Sequence, residues 1–171
     1  HDAVSAMRRR FQTKRIGHAG TLDPQATGVL VVAVGGATRF LQYLDLEPKV
    51  YECEITFGET RNTQDSEGEV TSTAPVPDDL ADRLSNALPT LTGPIEQVPP
   101  MYSAVKKQGK PLYTYARRGE EVEREPRPVT IHKIEILEVS SPRVYAHVTC
   151  SGGTYVRTLA HDLGQLLGCG A

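Results

Sequence analysis

Two stretches decide the architecture: VTIHKIEILEV at residues 129–139 and RVYAHVTC at residues 143–150. Both are of strand length and rich in β-branched residues. Ser141-Pro142 between them supplies a turn, so two joined strands are expected. Gly152-Gly153 then opens a helix from about Thr154. Its apolar stripe runs through Val156, Leu159, Leu163 and Leu166-Leu167, and Gly168 is the expected stop.

Upstream of this unit, Tyr51, Cys53, Ile55 and Phe57 alternate with Glu52, Glu54 and Thr56, the period of a half-buried strand. Residues 60–68 are polar and turn-like. Residues 78–88 read as a helix with Leu80, Leu84 and Leu88 on one stripe. Residues 89–100 carry Pro89, Gly93, Pro94, Pro99 and Pro100, so a break in regular structure is expected there. From there to about Pro128 the chain is basic, rich in tyrosine and glycine, and reads as an excursion from the core.

Near the start, residues 2–11 place Val4, Met7 and Phe11 at helical spacing. Residues 13–28 read as a loop punctuated by Gly17, Gly20, Pro24 and Gly28. The apolar run Gly28–Val34 suits a buried strand, and residues 37–44 suit a short helix burying Phe40, Leu41 and Leu44. Strands and helices mix without βαβ alternation. The expected class is α+β: a mixed, mainly antiparallel sheet flanked by helices, in a single domain over residues 1–171.

Composition sets bounds. The 171 residues supply one sizeable core, with 39% hydrophobic and 23% charged residues. No apolar run reaches the roughly 18 residues of a membrane span. Cys53, Cys150 and Cys169 are odd in number and far apart, which argues against a disulfide framework or a zinc site and favours a reducing, cytoplasmic setting. The net charge of −2 hides segregation: 12 of the 19 Lys and Arg fall in residues 1–15 and 97–128. Basic groups converging on one face would bind a polyanion, while scattered ones would only solvate helix faces.

Several residues are candidates for chemistry. Asp23 precedes Pro24, which restricts its backbone, and lies among loop glycines. It reads as a fixed nucleophile or base, or as a turn aspartate bonded to its own backbone. His18 in the same loop is an acid/base candidate, a base-contacting ring or a local structural group. Arg157, in the first turn of the last helix, opposes the helix dipole, so either a fixed anionic partner or simple solvent exposure is expected. Tyr51 sits on the apolar side of its strand, as a core ring or as the lining of a cleft. Tyr102, Tyr113 and Tyr115 are interleaved with basic residues from Lys106 to Arg118. That pattern suits base stacking and phosphate tracking, or a small satellite core. No phosphate-binding or dinucleotide glycine motif appears, and no His/Cys/Asp cluster has metal-ligand spacing.

The segments taken in order resemble the bacterial TruB-type tRNA pseudouridine-55 synthases. Gly17–Leu30 resembles the family's catalytic loop. Lys49-Val50-Tyr51 with Gly58-Glu59-Thr60 and Thr63–Gly68 resembles its second motif. Gln97–Lys106 resembles the start of its RNA-gripping insertion, often called the thumb, which would span about 97–128. Ser151–Leu159 resembles its third motif. The resemblance implies a pseudouridine-synthase catalytic domain acting on uridine 55 in the T-loop of tRNA, without metal, cofactor or guide RNA, as a monomer. It implies Asp23 as the catalytic carboxylate, aimed and kept charged by Arg157, with Tyr51 against the base or sugar as a candidate proton acceptor. His18 would fill the space left by the flipped base. Arg15, Lys106, Lys110, Tyr102 and Arg117 would contact RNA.

The same resemblance implies an opening strand before His1 and, after Ala171, a basic segment and often a small RNA-binding domain absent from this chain. Asn62 stands where the family commonly has an acid. Two other readings compete: a guide-RNA-directed, dyskerin-like enzyme, and a tRNA-binding module whose catalytic residues are incidental.

Overall fold

The computed structural model describes residues 2–171; His1 lies outside them. The chain forms two compact units, one ending at Leu46 and one running from Glu47 to Ala171. They are described separately.

The first unit opens with α1 (Asp2–Arg10), which buries Val4. A two-stranded ladder follows, with β1 (Ile16–His18) antiparallel to β2 (Val32–Val34). A 3-10 helix over Gly35–Tyr43 closes the unit. Gly17 allows a close approach here: a Cβ on it would stand 2.8 Å from Leu41 Cδ1, and the leucine side chain would have to shift. Two expectations are corrected. Only the last three residues of the Gly28–Val34 run lie in the strand, with Val31 adding one further bond to the partner segment, and Val29 is 91% exposed. The expected helix over 37–44 is a 3-10 helix that leaves Phe40, 65% exposed, and Leu44 at the surface. A repeat of three residues carries Phe40 and Tyr43 onto one shared face, and both are exposed.

The second unit is built on a four-stranded antiparallel sheet. Its members are β3 (Lys49–Thr56), β6 (Gly93–Gln97), β9 (Arg127–Ser140) and β10 (Arg143–Cys150), in the order β3-β10-β9-β6. β10 is central, and its inward residues Val144, Ala146, Val148 and Cys150 are fully buried. A small ladder pairs β4 (Glu59–Arg61) with β5 (Val70–Thr73). Helix α2 (Leu80–Ala87) buries Leu80 and Leu84, and a 3-10 turn over Leu88–Leu91 follows. The break expected over 89–100 contains β6 instead. Pro94 is tolerated because β6 is an edge strand, bonded on one side only.

After Gln97 the chain leaves the sheet, and it returns at Arg127, the residue paired with Gln97. The intervening segment contains a hairpin of β7 (Lys106–Lys107) and β8 (Lys110–Pro111) and the short helix α3 (Leu112–Ala116). Gln108 and Gly109 turn the hairpin with φ of 52° and 79°, positive at both positions as a tight two-residue loop requires.

Helix α4 (Val156–Leu167) ends at Gly168, whose φ of 75° is the left-handed stop expected from the sequence. It packs Leu163 and Leu167 with Ile55, Phe57, Leu80, Leu84 and Val144, and Leu159 with Ile131, Val148 and Cys150. Leu166, assigned to the same stripe, is exposed, since it lies about 100° round the helix from Leu167. Every described strand pairing is antiparallel, and helices flank the main sheet, so the α+β class holds.

Candidate active site

In the first unit, Asp23 heads a β-turn. Its carbonyl accepts from Ala26 N–H at 2.9 Å, with Pro24 at the next position, where a fixed φ favours the turn. The residue is exposed on its loop. β1 and β2 carry the two ends of this loop, and the Ala19 N–H bond to Val31 C=O at 3.0 Å extends their ladder. His18 is exposed, and its Nδ1 bonds the Gly20 carbonyl, so the ring is tied to its own loop. Arg15 is exposed where the chain enters β1, and its carbonyl accepts from Gly35 N–H at 2.8 Å.

In the second unit the organising side chain is Arg157, at the start of α4. Nη1 donates to Thr63 C=O at 3.3 Å and lies 3.4 Å from Asp65 Oδ2. Nη2 donates to Tyr102 C=O at 2.8 Å, and the guanidinium lies 5.7 Å from the Tyr155 ring centroid. A carboxylate and two carbonyls thus offset the unfavourable placement of a cation at a helix N-terminus. Among the site residues proposed from sequence, this brings Arg157 and Tyr102 together.

The loop that supplies Asp65 is tightly knit. Thr63 Oγ1 donates to Asp65 Oδ1 at 2.6 Å, and Glu67 N–H bonds the same oxygen at 3.1 Å. Arg61 Nη1 donates to Gly68 C=O at 2.7 Å. A side chain on Gly68 would collide with Thr63 Oγ1. Gln64, at φ 60°, accepts from Thr158 Oγ1 on α4 at 2.8 Å. Asp65 belongs to the second motif, but no local signal gives it a task, because its partner lies 92 residues away.

Tyr51 lies on β3, partly buried against Ile131, Val148, Cys150 and Leu159. Lys106 and Lys110 are exposed on the hairpin. Arg117 stacks over the Tyr113 ring at 5.3 Å, while Tyr115 Oη donates to Lys107 C=O at 3.3 Å. Arg124 Nη1 donates to Pro99 C=O at 3.1 Å, tying the end of the insertion to its beginning. Among the described residues, the buried polar atoms without a hydrogen-bond partner include Ser103 Oγ, next to Tyr102, and His161 Nδ1, one turn along α4 from Arg157. Burial pushes the Asp162 carboxyl above its usual range, against the opposing pull of His161.

A family model described as TruB family pseudouridylate synthase, N-terminal domain, matches residues 8–156. The chain belongs to that family. The matched span holds the Asp23 loop, the Asp65 loop, the insertion and the first residue of α4, and so most of the TruB-type motifs quoted above. A tRNA pseudouridine synthase B from Syntrophotalea carbinolica is 50% identical over 171 residues, all of this chain and 56% of that protein. A second, from Aromatoleum aromaticum, is 54% identical over 168 residues, 98% of this chain and 54% of that protein. The chain therefore spans little more than half the length of these TruB-family relatives. Among solved structures, one of a Cbf5–Nop10–Gar1 complex matches with a TM-score of 0.66 at 30% identity, covering 99% of this chain and 41% of the other.

Proposed function

We propose that this chain carries the catalytic machinery of an enzyme that converts uridine 55 in the T-loop of tRNA to pseudouridine, both units working as one catalytic domain. The observation that carries the reading is the Asp23 turn. It presents a loop-borne carboxylate on a defined backbone, inside the span matched by the family model.

The reaction breaks the N1–C1′ bond, turns the uracil and joins C5 to C1′. The C5 proton leaves and N1 gains one, so atoms balance without a co-reactant. Glycosidases use two carboxylates because a water must be activated as well. With no water to attack, one carboxylate is sufficient, and Asp23 takes that role. Arg157 supplies the positive charge that aims it. Tyr51 lies against the base or sugar and accepts the proton. The uridine must leave its stack, at a cost of roughly a few kcal/mol. His18 occupies the space it vacates. Arg15, Lys106, Lys110, Tyr102 and Arg117 hold the RNA, with residues about 97–128 as the gripping insertion. The protein acts as a cytoplasmic monomer, without metal, cofactor or guide RNA.

A second reading makes the chain one subunit of a multiprotein assembly, as Cbf5 is in the solved Cbf5–Nop10–Gar1 complex. The relatives named tRNA pseudouridine synthase B are 50% and 54% identical, against 30% for that structure, which favours the stand-alone reading. The test is to incubate full-length protein with unmodified tRNA transcript, without guide RNA, metal or partner, and map pseudouridine in the T-loop. Product at position 55 is expected; its absence from wild type overturns the proposal.

A further inference from the structure

Gln97 has no part in the chemistry above, yet its surroundings single it out. It is 1% exposed. Both ends of its side-chain amide bond the backbone of one residue: Oε1 accepts from Tyr155 N–H at 3.0 Å, and Nε2 donates to Tyr155 C=O at 3.2 Å. Tyr155 is the N-cap of α4, it makes no side-chain cap bond of its own, and Arg157 follows two residues later. Gln97 is itself fixed as the last residue of β6, paired with Arg127 of β9.

The amide therefore bonds the helix start as a neighbouring strand would, and transmits the position of the sheet edge to it. The other bonds at this site act elsewhere. Thr63, Asp65 and Tyr102 hold the tip of the arginine, and Gln64 holds Thr158. None of those reaches the Tyr155 backbone. A paired, fully buried amide has little freedom to move, since leaving either of its groups unbonded is costly.

We infer that Gln97 is a positioning residue: it fixes the first turn of α4 and so sets where the Arg157 guanidinium stands, from the root of the insertion between residues 97 and 127. The inference rests on the proposed role of Arg157 in pseudouridine formation. An ordinary core glutamine would matter for stability alone. A positioning glutamine would matter for the chemical step at an equal loss of stability.

The experiment compares Gln97→Met, which keeps the volume and loses both bonds, with Leu84→Ala, a core substitution on α2. Each is measured in full-length protein for melting temperature, tRNA affinity and single-turnover rate of pseudouridine formation. The expected result is a rate about 10²-fold lower in Gln97→Met, with tRNA affinity unchanged, and near wild type in Leu84→Ala. In an Arg157→Lys background, Gln97→Met should lower the rate little further, because the group it positions is already gone. A rate loss no greater than that of Leu84→Ala, or full additivity with Arg157→Lys, overturns the inference. Should Gln97→Met fail to fold, Gln97→Glu, which keeps the bond from Tyr155 N–H, is compared in the same way. Failure of both to fold counts as the structural outcome and also overturns it. If wild type forms no pseudouridine, the proposed function falls first; an active wild type with an unaffected Gln97→Met removes only this inference.

Discussion

Asp65 Oδ2 stands 3.4 Å from Arg157 Nη1, joining the loop after β4 to the first turn of α4. The pair is largely buried, with side-chain exposures of 25% and 11%. Its loop is closed by Thr63, Glu67 and Arg61, so the carboxylate arrives already oriented. Asp65→Asn keeps the shape and removes the charge. The expected outcome is a loss of about 1.5–3 kcal/mol in stability, the usual worth of a hydrogen bond to a charged group. Single-turnover pseudouridine formation should fall about 10–100-fold while tRNA affinity is retained. Denaturant melts and quench assays on the same preparation check both, and an unchanged rate removes Asp65 from the site.

Asp23→Asn is the cleanest test of the carboxylate. The turn is carried by the Asp23 carbonyl and by Pro24, and asparagine is equally at home at the first position of such a turn. The turn should therefore form as in wild type, and folding and tRNA binding should be retained. Product formation should fall below detection. Pseudouridine mapped at wild-type levels in this variant would remove Asp23 from the chemistry.

Legibility in the sequence follows how local each cause is. The alternation from Tyr51 to Phe57 and the stop at Gly168 are set within a few residues, and both elements are where the pattern puts them. The run Gly28–Val34 is a poorer guide, because the length of a strand depends on its partner, and that partner is the short strand Ile16–His18. Pro94 signals a break where the chain forms an edge strand, since proline forbids a bond on one side only. The place of Arg157 in its helix calls for an anion, but Asp65 and Gln97 reach this helix across 92 and 58 residues, and nothing local marks either one.

The exposed cations make a second class of prediction. Arg8, Arg9 and Arg10 form the last turn of α1, where the Met7 and Arg8 carbonyls already accept from Phe11 N–H at 2.9 Å and Thr13 N–H at 3.3 Å. Those two carbonyls thus need no arginine to cap them. Lys106 and Lys110 are likewise exposed on the β7–β8 hairpin. Replacing Lys106 and Lys110 together by Gln should weaken tRNA binding and reduce the slope of log affinity against log salt by about 1–2, at roughly 0.7–0.9 for each phosphate no longer neutralised. The triple change of Arg8, Arg9 and Arg10 to Gln should reduce it by about 2–3 on the same basis. Saturating single-turnover rates should be unchanged in both. An unaltered salt slope in either variant removes that patch from the RNA surface.

Cys53 lies on the inner side of β3, and burial together with the neighbouring Glu52 carboxylate pushes its thiol from 9.0 up to about 11. The folded protein therefore keeps a proton that the unfolded chain releases at about pH 9. Stability from this group is fully present below pH 9 and is lost as pH rises through about 11. At 1.36 kcal/mol per pH unit, that window amounts to about 2–3 kcal/mol. Cys53→Ala has no thiol to ionise. Its loss of stability between pH 9 and 11 should be shallower than wild type by that amount, measured as urea midpoints at closely spaced pH values. At pH 8 the wild-type thiol should also alkylate far more slowly in folded protein than in urea, because only the thiolate attacks. Parallel stability curves for wild type and Cys53→Ala across that window would show that this thiol ionises as readily in the folded chain as in the unfolded one.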